Sequence, residues 1–148
     1  MANFLTQGRL ALLDALKAHE TLHYRVRTWN EYGPGLRRRH RLNPASCPIC
    51  SVTPREGGQE QAFNVLRRVP QLLQVEMATA GQDVEPCEEL VAAAISVVQS
   101  ERETALDLSD RGLQNLSVTD LTWKAHPGED SPRPLWLAAL SVKLLWIR

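Results

Sequence analysis

Leu72-Leu73-Gln74-Val75-Glu76-Met77-Ala78-Thr79 is the stretch on which the fold turns. In an extended chain Leu73, Val75, Met77 and Thr79 project to one side and Gln74, Glu76 and Ala78 to the other, the period of two that marks a strand with a buried face. Such a face requires a covering layer, and one follows directly. After Ala80-Gly81-Gln82, Asp83 and Pro86 open a helix whose first turns carry Glu85, Glu88 and Glu89, carboxylates matched to the positive end of the helix dipole. Leu90, Val91, Ala94, Ile95, Val97 and Val98 then form a broad apolar stripe reaching about Gln99.

Downstream of this pair, Leu113 to Trp123 is strand-like with an irregularity at Asp120, and KAHPGEDSPRP (124–134) is a turn-rich loop. Leu135 to Ile147 satisfies both periods. Trp136, Ala138, Leu140, Val142, Leu144 and Trp146 alternate as in a strand, while Leu137, Leu140, Leu144 and Ile147 suit a helix; Pro134 and the two tryptophans favour the strand. Upstream, Asn3 to about Ala18 reads as a helix with Leu5, Gly8, Leu12, Leu13 and Leu16 on one side. Tyr24 to Tyr32 reads as a half-exposed strand, ended by Gly33-Pro34-Gly35. LRRRHR (36–41) is a basic loop, ASCPICSVTP (45–54) a short strand that Pro48 confines to an edge or bulge, and REGGQEQ (55–61) another loop. The predicted fold is therefore α+β, one domain over residues 1–148 with a mainly antiparallel β-sheet flanked by two α-helices.

Composition agrees with a globular chain: of 148 residues, 43% are hydrophobic and 23% charged. No apolar run approaches the roughly 18 residues of a membrane span, and Arg9, Asp14 and Lys17 interrupt the N-terminal pattern, so a soluble, unexported protein is expected. Net charge is zero but unevenly placed. Residues 1–74 hold 11 Lys/Arg against 5 Asp/Glu and residues 75–148 hold 6 against 12, a split of +6 and −6. Unlike halves of this kind suit head-to-tail contacts between copies.

Three patterns bear on chemistry. His19-Glu20-Thr21-Leu22-His23 fits H-E-x-x-H, which on one helix sets two imidazoles a turn apart on zinc with the glutamate as general base. Glu85, Glu88, Glu89 and His126 are candidates for the third ligand, but the motif straddles a helix end, and a chance match is the simpler reading. Cys47-Pro48-Ile49-Cys50 lacks a second pair, with Cys87 alone remaining; residues three apart on a strand face opposite ways, so small buried thiols are expected. Arg37, Arg38, Arg39, His40 and Arg41 form the densest charge run, a solvated loop by default and otherwise one that meets an acidic neighbour or DNA in a channel. Glycine-rich phosphate loops and nucleophile elbows do not occur, and the expectation is a protein that is not an enzyme and uses no cofactor or resident metal.

LALLDALKAH, the strand LLQVEMAT, the acidic-started helix EPCEELVAAAISVV, the LSDRGL turn and the final PLWLAALSVKLLWIR, in that order, resemble the tail terminator or tail completion proteins of long-tailed bacteriophages and prophages. The resemblance implies a virion protein of the tail or neck, assembled in the host cytoplasm. It would form a ring, commonly a hexamer, at the head-proximal end of the tail tube, ending tube polymerisation and offering a surface for the filled head. Its implied partners are copies of itself, the tail tube protein and a head-completion or neck protein, with passing contact with DNA and none with a membrane. A neighbouring neck or connector protein shares much of this pattern. Within the ring reading, Arg37, Arg38, Arg39 and Arg41 are candidates for the lumen or a subunit contact, with Glu85, Glu88 and Glu89 as the acidic counterpart. The alternative is a small zinc hydrolase built on His19 and His23.

Overall fold

Asn3 starts the first helix: its side-chain oxygen accepts the Thr6 N–H at 2.9 Å, filling one of the donors that a helix start leaves open. The computed structural model describes residues 3–30, 44–55, 68–126 and 134–148. Helix α1 spans Phe4–Ala18, a short α2 spans Glu20–Arg25, and strands β1 (Thr28–Asn30), β2 (Ile49–Pro54) and β3 (Arg68–Ala80) follow. Helix α3 (Glu85–Thr104) then leads to β4 (Leu113–His126) and β5 (Leu135–Ile147). The five strands form one sheet in the order β1-β2-β3-β5-β4, with β1 and β2 parallel and every other pair antiparallel. This is the α+β architecture expected, and the doubly periodic last segment is a strand throughout its 13 residues.

The helices cover one face of the sheet. Leu12, Leu13 and Leu16 of α1 and Leu90, Ala94, Val97 and Val98 of α3 meet Cys50, Val52, Leu73, Val75, Met77, Leu140, Val142, Leu144 and Trp146 in one apolar core. The residues read as the inward face of LLQVEMAT are those that lie there. The other face of β3 is buried too, with Glu76 3% and Ala78 0% exposed. Ala78 joins Cys47, Leu135 and Leu137 in a second, smaller cluster on that side.

Alpha1 lies against the sheet at Gly8. A Cβ there would stand 2.7 Å from Gln71 Oε1, 2.8 Å from Trp146 Cζ2 and 2.9 Å from Leu144 Cδ2, so only glycine permits this approach. The contact is locked by polar groups. Trp146 Nε1–H donates to Gln71 Oε1 at 2.8 Å, and Gln71 Nε2 donates to the Leu5 carbonyl at 2.7 Å. Phe4 adds an edge-on contact to the Trp146 ring at 5.2 Å between centroids.

Five sequence expectations are corrected. Lys124, Ala125 and His126, read as the start of a loop, extend β4, because β5 pairs with them from Leu135 onward. Tyr24 and Arg25 lie in α2 and not in a strand, because His19 breaks α1 and caps a further short helix, whose Leu22 is fully buried; the strand begins only at Thr28. The sheet is thus flanked by two long helices and one short one. Beta2 starts at Ile49 and lies between β1 and β3, not at an edge; Pro48 stays outside the ladder, its carbonyl accepting from Arg27 and Thr28 N–H at 2.8 and 3.2 Å. Beta3 begins at Arg68, four residues earlier than read, since β5 pairs with it from Arg68 onward while β2 pairs only with Leu73 to Ala78. Pro70 therefore sits where β3 has one described neighbour, and its missing N–H costs no ladder bond on the other side. Helix α3 runs past Gln99 to Thr104 and ends in a left-handed turn through Ala105, Leu106 and Asp107.

The LSDRGL segment closes that turn onto β5. Gly112 has a φ of +104°, and a Cβ there would lie 2.4 Å from the Ile147 carbonyl oxygen. Its own carbonyl accepts the Ile147 N–H at 2.8 Å.

Candidate functional site

His19 and Glu20 fall at the junction of α1 and α2. The His19 backbone is extended (φ −69°, ψ 132°), and its Nδ1 accepts the Thr21 N–H at 3.2 Å as the cap of α2. His23 lies in the last turn of α2, exposed, its ring edge-on to Tyr24 at 5.1 Å. The two histidines do not share one continuous helix, the condition that gives the H-E-x-x-H spacing its zinc geometry. Among the described residues no three His, Cys, Asp or Glu side chains gather as a metal site, and Glu85, Glu88 and Glu89 do not join His19 and His23 in one. The backbone of His126 ends β4 opposite Leu135.

The cysteines are separated by the sheet. Cys47, which precedes β2, belongs to the small cluster with Ala78 and Leu137, and Cys50 of β2 belongs to the main core, so the two thiols lie on opposite sides of the sheet. All three cysteines are buried, and none forms a disulfide among the described residues. Burial raises the Cys47 thiol above the usual 9.0 and pushes Cys50 up to about 12. Cys87 is pushed up to about 11 by burial, with the Thr79 hydroxyl pulling the other way. Its Sγ–H donates to the Trp136 carbonyl at 3.8 Å. Thiols held neutral in this way are poor nucleophiles, and packing accounts for them.

At the start of α3, Glu85 and Glu88 are exposed, while Glu89 is half-buried and pairs with Arg25 of α2. One acidic group of the second half of the sequence is thus used within the chain, binding α2 to α3. Arg37, Arg38, Arg39, His40 and Arg41 lie outside the described residues. Trp146 is a core anchor, whereas Trp123 on β4 is 40% exposed.

The sheet edge at β4 is the feature that sequence reading passed over. No described strand pairs with its outer side. The irregularity expected at Asp120 is present as a register shift between Val118 and Asp120, after which β4 pairs regularly with β5 to His126. Past the shift, Asp120, Thr122, Trp123, Lys124 and Ala125 are all exposed. The alternation of Asp120, Thr122 and Lys124 with Leu121 and Trp123 was the available signal.

Compared with known proteins, the chain matches no protein-family model and no curated protein. Among the described residues no helix is long and apolar enough to cross a membrane.

Proposed function

We propose that the chain is a structural subunit of a long-tailed phage or prophage tail, a ring-forming protein that ends tail-tube polymerisation at the head-proximal end and helps join the filled head. The supporting observation is element order. The segments on which the resemblance rests fall in the fold as one amphipathic helix, the strand LLQVEMAT near the sheet centre, an acidic-started helix laid over it, the tight LSDRGL turn and a final long strand. An order of elements carries a fold-level analogy, and function comes to this chain by that analogy. Exposed carboxylates at Glu85 and Glu88, and the run of arginines at 37, 38, 39 and 41 in the sequence, offer unlike charges for contacts between neighbouring subunits.

The test is electron microscopy of lysates from a phage or prophage lacking this chain. Overlong tubes that never join heads are the expected result; tubes of normal length would overturn the termination role. In a finer version, Arg37, Arg38, Arg39 and Arg41 are replaced together by serine, which should weaken tail attachment while leaving the melting temperature unchanged. Attachment at the normal level would remove these four arginines from the mechanism.

A further inference from the structure

We propose that the outer strand β4 pairs antiparallel with β4 of a second copy, about a two-fold axis through Thr122, joining two five-stranded sheets into one of ten strands.

Four observations converge on this contact. Beta4 is the outermost of the described strands, and its outer side has no described strand beside it. From Asp120 to Ala125 it is exposed except for the half-buried Leu121, and it carries Trp123, 40% exposed, on the helix-covered side of the sheet, where Trp123 stands opposite Ala138. Asp120, Thr122 and Lys124 stand opposite Ser141, Ala139 and Leu137 and so share the other side. At the edge itself the Leu121 N–H is met by the neighbouring Asp120 carboxylate at 2.9 Å. A side chain therefore serves an edge donor that a partner strand would take over.

The sequence of this stretch is complementary to itself. With Thr122 on the axis, Asp120 faces Lys124 of the second copy, Lys124 faces its Asp120, and Thr122 faces Thr122. On the opposite side Leu121 packs across from Trp123, twice. Opposite charges, paired threonines and an aromatic against an aliphatic side chain are all favourable cross-strand pairs. The register is also singled out. Moving the axis to Leu121 or Trp123 parts both ion pairs, and a shift of one residue along the partner brings the wrong sides of the two strands together. In the Thr122 register, Leu121 and Trp123 exchange backbone hydrogen bonds with the partner, and the Asp120 carboxylate is released to the partner's lysine. The bulge at Val118 and Asp120 ends the regular run, which confines pairing to this short segment and protects the edge from indiscriminate addition.

This contact does not rest on the tail reading, because a two-fold contact closes on itself and by itself yields dimers, not rings. The full chain should show twice its 16.6 kDa by light scattering. Lys124→Asp and Asp120→Lys should each place like charges face to face and weaken association by about tenfold or more. The double variant D120K/K124D restores both pairs in reversed sense and should restore the dimer. Independently of charge, Thr122→Cys should form a covalent dimer under mild oxidation, since opposed residues on the axis lie within disulfide reach. Gln114→Cys, on β4 ahead of the bulge, should not.

All substituted positions are exposed, and unchanged melting temperatures for the single variants would show intact folds. A wild-type chain that stays monomeric to about 100 μM overturns the proposal. So does a dimer indifferent to both charge reversals, or one that cross-links as readily through Gln114→Cys. A ring-sized oligomer insensitive to every variant would overturn the pairing and leave the tail reading standing. A swap-sensitive dimer from a chain whose loss leaves tails normal would do the reverse.

Discussion

Beta3 and beta4 are nearly equal in length, 13 and 14 residues, and flank the same strand β5 in one sheet, yet they are opposite in what they do with their surfaces. Beta3 is bonded on both edges over Leu73–Ala78 and buried on both faces through its centre, so that even Glu76 is only 3% exposed. Beta4 is bonded on one edge among the described residues, interrupted by two register shifts, and exposed from Thr122 to Ala125. A strand sealed on every side contributes stability and nothing else. One left open on an edge contributes less to the fold and holds surface in reserve for another chain.

The largest effect should come from removing the side chain that ties the sealed region together. Trp146→Ala takes away a fully buried indole and its hydrogen bond to Gln71, and should cost about 3–5 kcal/mol in urea denaturation. A loss below about 1 kcal/mol would show that the α1 contact contributes little. Next comes Gly8→Val, which drives a branched side chain into Gln71, Trp146 and Leu144 and should cost about 1–3 kcal/mol by the same measurement.

The buried thiols give a smaller, pH-dependent effect. Cys50 and Cys87 stay protonated in the fold up to about 12 and about 11, above the usual 9.0, so it is the unfolded chain that loses these protons first. Stability is full below about pH 9 and falls as pH rises through the folded values. The urea midpoint should therefore drop between about pH 9 and 10.5, and a Cys50→Ala chain should drop less steeply. An equal slope in both would show that Cys50 does not set this dependence.

The smallest effect on the monomer sits at the open strand. Trp123→Ser should change stability by less than about 0.5 kcal/mol when measured at low concentration, while abolishing self-association. A loss comparable to that at Trp146 would collapse the distinction between the two strands.

Most of the architecture was legible in the sequence because two periodicities dominate it. LLQVEMAT and the last strand alternate by two, and α3 repeats by 3.6, so their inward faces follow directly. What escaped was decided by particular local contacts. His19 restarts a helix by capping Thr21, which periodicity over so short a span does not signal, and Tyr24 and Arg25 were consequently read as strand. The early start of β3 was hidden by Pro70, whose tolerance depends on β2 ending its pairing at Leu73. For the candidate site, Cys47 and Cys50 do lie on opposite sides of the sheet, though not by strand alternation, since Cys47 precedes β2. The exposure of β4 was not legible, since an edge is a property of strand order, and strand order is fixed by pairings between distant segments.

That strand order also sets when the sheet can be completed. Beta5, last of the five in the sequence, is inserted between β3 and β4, where Ala80 meets Leu135 across 55 residues of chain and Arg68 meets Ile147 across 79. Until β5 has been synthesised, β3 lacks one of its two neighbours and β4 is paired on neither side among the described strands. Both strands then have an edge open toward the place that β5 takes, and a single late event fills both. Closing loops of this length slows folding. Refolding should consequently be rate-limited by docking of β5, and substitutions at its interface with β3 should slow refolding more than those in α2.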